Sequence, residues 1–363
     1  MIRGIALTSL YVASAAKFAE ERDLSSYTWE DYKVEFGKHG GDQKTFEANL
    51  LSIQEHNANP DKDWHATVNQ FTDMSPGEFE TYSKGRKRGA IHLGGSRQMY
   101  QPSGKALPDQ VDWREQGVVT PAKDQGSCGS CWAFSAAETL ESHLAIATGE
   151  PVMKLSPQQI VSCAPNPDQC GGSGGCDGST QPLAFNYTET AGITTDASYP
   201  YTSRTGTCDT SKITPVAYNS GYVELPVNDG AALMDAVANQ GPVSISIAAG
   251  GFRFQFYGGG VLKSCNDYVM DHAVQLVGYG TESGQDYWLV RNSWGASWGE
   301  SGYIRLARYG EGNEPCGEDK NPADGDACAG DTAPRTYCGE CGVLSSSSYP
   351  TGMTAAIKEA IVV

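Results

Sequence analysis

The sequence predicts an α+β protein in which a mostly helical stretch precedes a mostly stranded one. Three observations carry this. Between Cys131 and Gly192 the chain reads as a series of helices. From about residue 214 onward, short apolar runs separated by glycine-rich turns take over. All eleven cysteines fall at or after Cys128, which sets that part of the chain apart from a cysteine-free segment ahead of it.

The elements follow in order. "MIRGIALTSLYVASAAK" has Arg3, an apolar stretch from Ile5, and Ala13-Ser14-Ala15, so residues 1–15 resemble a signal peptide. Residues 28 to 57 read as helices. Trp29, Tyr32 and Phe36 recur at spacings of three and four, and so do Phe46, Leu50, Ile53 and Asn57. Gly40 and Gly41 break the pattern between them. Residues 65 to 79 read as an extended piece and a short helix, with Asp73 or Ser75 available as its cap. Residues 81 to 106 carry Lys, Arg, Gly, Ser and Pro without periodicity, which describes a linker open to proteolytic cutting. The expected organisation is therefore a helical propeptide with its linker over 16–106 and a cysteine-rich unit over 107–363.

In that unit "CWAFSAAETLESHLAIATG" reads as a long helix ending at Gly149. "SPQQIVSCA" starts a shorter one with Ser156 as cap, and "QPLAFNYTETAG" is a third. "PVSISI", "DHAVQLVGYG", "DYWLVRNSW" and "GYIRLARYG" read as strands. No period of 20 to 50 residues repeats.

Composition narrows the function. The net charge is −17, and residues 107–363 hold 29 acidic against 13 basic residues. Such a chain offers no basic face to nucleic acid. No internal run is long enough for a membrane span. Eleven cysteines fit five disulfides and one remaining thiol, which implies an oxidising compartment. Asn186-Tyr187-Thr188 is a glycosylation acceptor pattern inside an expected helix.

The chemistry centres on "DQGSCGSCWAFS" (124–135), whose C-x-x-C could hold zinc, cycle a disulfide, or place two cysteines with separate tasks side by side. Residues 107–363 contain two histidines. His143 lies on the helix that starts at Cys131, roughly 18 Å along it, and is too far away to act on that residue. His272, at the start of an apolar strand, is the base candidate. Cys131 sits at the positive end of its helix, where a thiolate is favoured, and pairing with an imidazolium lowers a thiol pKa further. Gln125 and the Cys131 N–H are candidate oxyanion donors. Asn292, in "RNSWGASWGESGYI", can orient a histidine ring, and with Trp294 and Trp298 nearby a tryptophan can keep water off that bond. A zinc site lacks a second C-x-x-C near a ligating partner. A thioredoxin-like pair would want a βαβ setting and no distant His and Asn.

Together these motifs resemble the papain-like cysteine proteases in zymogen form, of the cathepsin-L type. Cys128-Gly129-Ser130-Cys131-Trp132, "DHAVQLVGYG", "YWLVRNSWGASWGESGYIRL" and "CGVLSSSSYP" match in order. The resemblance covers residues 25 to 350. It implies a helical left lobe holding Cys131 and a β-barrel-like right lobe holding His272 and Asn292, with the cleft between them. It also implies the roles of nucleophile for Cys131, base and acid for His272, orienter for Asn292, and oxyanion donor for Gln125. Trp294 would shield the Asn–His pair. Subsite 2, which takes the side chain before the scissile residue, would be lined by Thr180, Gln181, Ser246, Met270, Ala273 and Ser346. With no carboxylate at Ser346, it is expected to take aliphatic or aromatic residues rather than arginine. Ser179 stands where the family has a glycine whose backbone binds substrate, a replacement that costs about 1 kcal/mol if φ must be positive.

The resemblance further implies disulfides Cys128–Cys176, Cys163–Cys208 and Cys265–Cys341. Residues 310–340 then form an acidic insertion. Two more bridges would staple it from Cys170, Cys316, Cys328 and Cys338, one reaching back to Cys170. Asp319, Asp324, Asp326 and Asp331 lack the spacing of a calcium loop, and no metal or cofactor is expected. In the propeptide, Phe46-x2-Asn49-x3-Ile53-x3-Asn57 and Asn69-x-Phe71-x-Asp73 match family patterns, while Lys38, Asp42 and Thr67 depart from them. Cleavage is expected near Lys105–Leu107. The implied partners are polypeptide substrates, the propeptide as intramolecular inhibitor and proteinaceous cysteine protease inhibitors. A monomer in the secretory pathway, bound for a lysosome, vacuole or the exterior, is expected. Endopeptidase action follows because no histidine pair sits in a cleft loop and no cysteine-bearing clamp precedes Leu107. The alternative is a catalytically impaired homologue acting as a binding or structural protein.

Overall fold

The computed structural model describes residues 20–84, 96–263 and 265–356. The expected signal peptide and part of the linker, 85–95, lie outside the described residues. Helices α1 (Trp29–Glu35) and α2 (Gln43–Asn57) come first. Thr28 and Asp31 cap α1 reciprocally. Asp42, one of the departures from the family pattern, caps α2 by accepting from the N–H groups of Lys44 and Thr45. Lys38, another departure, donates to Asp73 at 2.8 Å and to the Gln70 carbonyl at 3.0 Å. Strand β1 (Trp64–Ala66) and helix α3 (Pro76–Lys84) follow. Ser75 caps α3 in a reciprocal pair with Glu78, while Asp73 instead accepts from Lys38 and the Tyr32 hydroxyl.

After β2 (Arg97–Met99) and β3 (Val111–Asp112) comes the helical lobe: α4 (Cys131–Thr148), α5 (Pro157–Cys163) and α6 (Gln181–Ala191). Residues 131 to 145 of α4 are buried on every side, so this helix is the lobe's axle rather than a surface element. Trp132, Ala136, Leu140, Ile160 and Phe185 form its core. Next come β4 (Ala217–Tyr218), β5 (Gly221–Glu224), α7 (Gly230–Asn239), β6 (Val243–Ile247), α8 (Gly251–Gln255) and β7 (Tyr257–Leu262). β8 (His272–Glu282), β9 (Gln285–Arg291), β10 (Tyr303–Ala307), β11 (Cys316–Asp319), β12 (Arg335–Cys338), β13 (Ser347–Thr351) and β14 (Thr354–Ala355) complete the chain.

The sheet lobe corrects the expectation of a β-barrel-like right lobe. Its strands run β1-β7-β10-β9-β8-β6-β13-β5-β2, with β3 added beside β8. The two end strands do not pair with each other, so among the described residues the sheet is open. It is also mixed, because β10–β7 and β2–β5 are parallel and the other pairs antiparallel. A barrel needs its last strand to hydrogen-bond its first. Here both outer positions are taken by strands from the segment ahead of Leu107. The same segment shares the sheet lobe's core: Tyr32, Phe46, Ile53, Trp64 and Phe71 join Tyr257, Trp294 and Trp298. No helix among the described residues is long and apolar enough to cross a membrane.

Candidate active site

Cys131 is the first residue of α4 and the one cysteine outside a disulfide. The loop before it is held on both sides. Cys128 is bridged to Cys176, and the Gly129 N–H donates to the Cys176 carbonyl at 3.0 Å. Gly178 in the facing loop has φ +92°, and a Cβ there would stand 2.2 Å from the Gly171 carbonyl oxygen. Ser179 beside it is not among the residues of positive φ, so the serine carries no left-handed strain.

The nucleophile loop is also tied to the sheet lobe. Gln125 donates its N–H to the Ser293 carbonyl at 2.9 Å, and its side-chain oxygen accepts from the Ser293 hydroxyl at 2.6 Å. Its amide nitrogen donates to the Cys128 carbonyl at 3.0 Å. Asp124 and Trp294 form an isolated antiparallel bridge next to these bonds. This seam brings Cys131 close to residues 161 positions later in sequence.

His272 opens β8, opposite Ile247 of β6. Its Nε2 lies 2.7 Å from the Asn292 Oδ1. That oxygen also accepts the Ser293 N–H at 2.8 Å, so it is the amide's acceptor end and Nε2 carries the proton. Trp294 stacks on the imidazole at 4.7 Å between centroids. Cys131, His272, Ser179, Gln181, Ser246, Met270 and Ala273 line one cavity. Thr180 and Ser346, expected in the same subsite, line a different groove.

The propeptide segment reaches this site. Phe71 and Phe79 meet Trp294 edge-on at 5.9 and 5.4 Å. Gln70 donates to the Trp294 carbonyl and accepts from Ser297 at 2.7 Å. These contacts cap the cleft on the side of the Asn–His pair.

Behind the site lies a charged network that sequence reasoning missed. Arg291, the residue before Asn292, pairs with Glu138 of α4 at 3.2 Å, both fully buried. Burial pushes the Glu138 carboxyl up to about 7 against the pull of Arg291 and Lys123. Glu141, one turn on, binds Lys123 and the Thr120 hydroxyl. The available signal was two glutamates inside a helix that holds no Asp, Lys or Arg. Together they fix the Cys131 helix to the strand that presents Asn292. His143 points elsewhere: it bonds the Pro242 carbonyl at 2.8 Å and stacks on Tyr349.

The remaining bridges are Cys163–Cys208, Cys265–Cys341, Cys170–Cys328 and Cys316–Cys338. The last closes the hairpin of β11 and β12 within residues 310–340. Among the described residues, the one group close enough to hold a metal is Cys265, Glu340 and Cys341, and its two sulfurs are bonded to each other. It therefore offers no thiolate ligand. Asn186 lies within α6 and is partly buried.

Both parts of the chain are similar to known proteins. The description "Papain family cysteine protease" matches residues 107–324, and "Cathepsin propeptide inhibitor domain (I29)" matches 29–79. Vignain of Vigna mungo is 44% identical over 274 residues, covering 72% of this chain and 73% of that protein. The probable cysteine protease RD21C of Arabidopsis thaliana is 39% identical over 311 residues. That match covers 84% of this chain but 62% of the relative, so the chain spans under two thirds of its length. The digestive procathepsin L 3 of Tenebrio molitor larval midgut superposes with a TM-score of 0.72 at 34% identity, covering 89% of this chain and 98% of that one.

Proposed function

Because the chain belongs to the papain family of cysteine proteases and carries a cathepsin-type propeptide inhibitor domain, we propose that it is a cysteine endopeptidase made as a self-inhibited zymogen. One observation carries the reading. Cys131, at the head of a buried helix, shares a cavity with a histidine whose far nitrogen is already committed to Asn292.

The chemistry follows from that arrangement. His272 takes the thiol proton at Nδ1, since Nε2–H is held by Asn292. The thiolate attacks a peptide carbonyl, and the Cys131 N–H and the Gln125 amide stabilise the oxyanion. His272 then protonates the departing amine, leaving a thioester on Cys131. Water, deprotonated by His272, releases the acid and restores the thiol. Met270 and Ala273 favour apolar side chains, aliphatic or aromatic, in subsite 2. Trp294 keeps water from the His–Asn bond.

The propeptide, over 16–106, inhibits from within. Cutting near Lys105–Leu107, where residues 104–106 are exposed and lie outside any helix or strand, releases the peptidase unit of 107–363. Five disulfides suit a secretory route to a lysosome, vacuole or the exterior. The partners are polypeptide substrates and protein inhibitors of cysteine proteases.

The test is alkylation of the processed protein with iodoacetate across pH. Peptidase activity should be lost in step with modification of Cys131 below pH 7, and Cys131→Ser should be inactive. Activity surviving that substitution would sink the mechanism, whereas a processed protein without peptidase activity would favour a binding protein.

A further inference from the structure

The insertion reaches across the cleft. Gly325 lies so close to Met270 that a Cβ there would stand 2.9 Å from the Met270 carbonyl oxygen and 3.2 Å from its nitrogen. Two residues on, the Ala327 carbonyl accepts from the Gly171 N–H at 2.9 Å. Cys328 is then joined to Cys170. Met270 belongs to the sheet-lobe wall of subsite 2. Gly171 belongs to the opposite wall, its own Cβ position falling 2.7 Å from the Ser179 carbonyl oxygen. Residues 325–328 thus run from one wall of the subsite to the other.

This strap divides the subsite. On the catalytic side, Ser246, Met270 and Ala273 share with Cys131 and His272 a cavity of about 20 Å³, bounded by Gly325 and Asp326. On the far side, Thr180 and Ser346 open into a separate groove of about 610 Å³ lined by Asp326, Ala327 and Cys328. A site for one water needs about 10–15 Å³, so the inner cavity admits little more than a methyl group before something moves. The strap is held at both ends. Its disulfide is enclosed with Leu183 in a small apolar cluster, and the hairpin that carries it is closed by Cys316–Cys338.

We propose that the Gly325–Cys328 strap sets the upper size limit of subsite 2, so that alanine and valine are taken in preference to leucine and phenylalanine. The proposal rests on the reading of Cys131 and His272 as the catalytic pair, and it narrows that reading from apolar residues in general to short ones. The strap acts by volume: a longer side chain must displace a segment tied covalently to the helical lobe.

The experiment uses the full-length protein processed to its active form and a peptide series with Ala, Val, Leu or Phe at the subsite residue. Valine should exceed phenylalanine in kcat/KM by about tenfold or more. The Cys170→Ser/Cys328→Ser variant frees the strap and should raise the Phe-to-Val ratio by about tenfold. Gly325→Ala keeps the disulfide but forces the strap off Met270, and it should shift the ratio the same way by less. A parent that prefers phenylalanine, or two variants that keep the parent's Phe-to-Val ratio, would overturn the proposal. Dissociation constants of a non-cleavable ketomethylene series should follow the same order by calorimetry. Equal affinities there would overturn the strap. An intact order of affinities without turnover would instead overturn the catalytic reading alone.

Discussion

His143 shows how one buried ring couples stability to acidity. Burial pushes its pKa from 6.5 down to about 4, with the Pro242 carbonyl opposing only in part. The folded state therefore holds the ring neutral, while the unfolded chain takes up a proton near the ordinary value. Its contribution is fully present above about 6.5 and is lost as pH falls through about 4. Thermal scans should show the parent losing melting temperature more steeply than His143→Gln between those values, and parallel curves would exclude the effect. The histidine's structural role was legible in the sequence from its distance along α4. The pairing of Arg291 with Glu138 was not, because an ion pair between a helix and a remote strand leaves no periodic trace.

At the scale of elements, the propeptide helices were readable from ring residues at spacings of three and four, since those faces are the ones buried. The work of its asparagines was not readable without the partner strand. Asn57 donates to the Ala66 carbonyl and accepts the Ala66 N–H, both at 2.8 Å, clamping β1 to the end of α2. Asn49 likewise bonds the carbonyls of Thr72 and Met74 at 2.9 Å. Losing both bonds of Asn57 costs about 1–3 kcal/mol. In the Asn57→Ala zymogen, β1 should hold less firmly on β7 and iodoacetate should reach Cys131 about tenfold faster; an unchanged rate would show that β1 does not contribute to closure. The insertion was visible as an excess of acidic and cysteine residues. Its course was hidden, because four unassigned cysteines allow several pairings and nothing local links Gly325 to Met270.

At the scale of the molecule, the two-lobe division was legible because helical and stranded textures are segregated along the chain. That the sheet is open among the described residues was not, since strand order depends on which ends meet. Both ends of the sheet are supplied by the segment ahead of Leu107: β1 covers β7, and β2 covers β5. Processing that removes this segment uncovers two rows of backbone donors and acceptors at once. Bare edges invite strands from other molecules. Loss of the propeptide should therefore promote self-association. Sedimentation at rising concentration should find the zymogen monomeric under conditions where the inhibited, processed protein begins to associate. If both stay monomeric, the newly bared strands are too short or too twisted to recruit a neighbour.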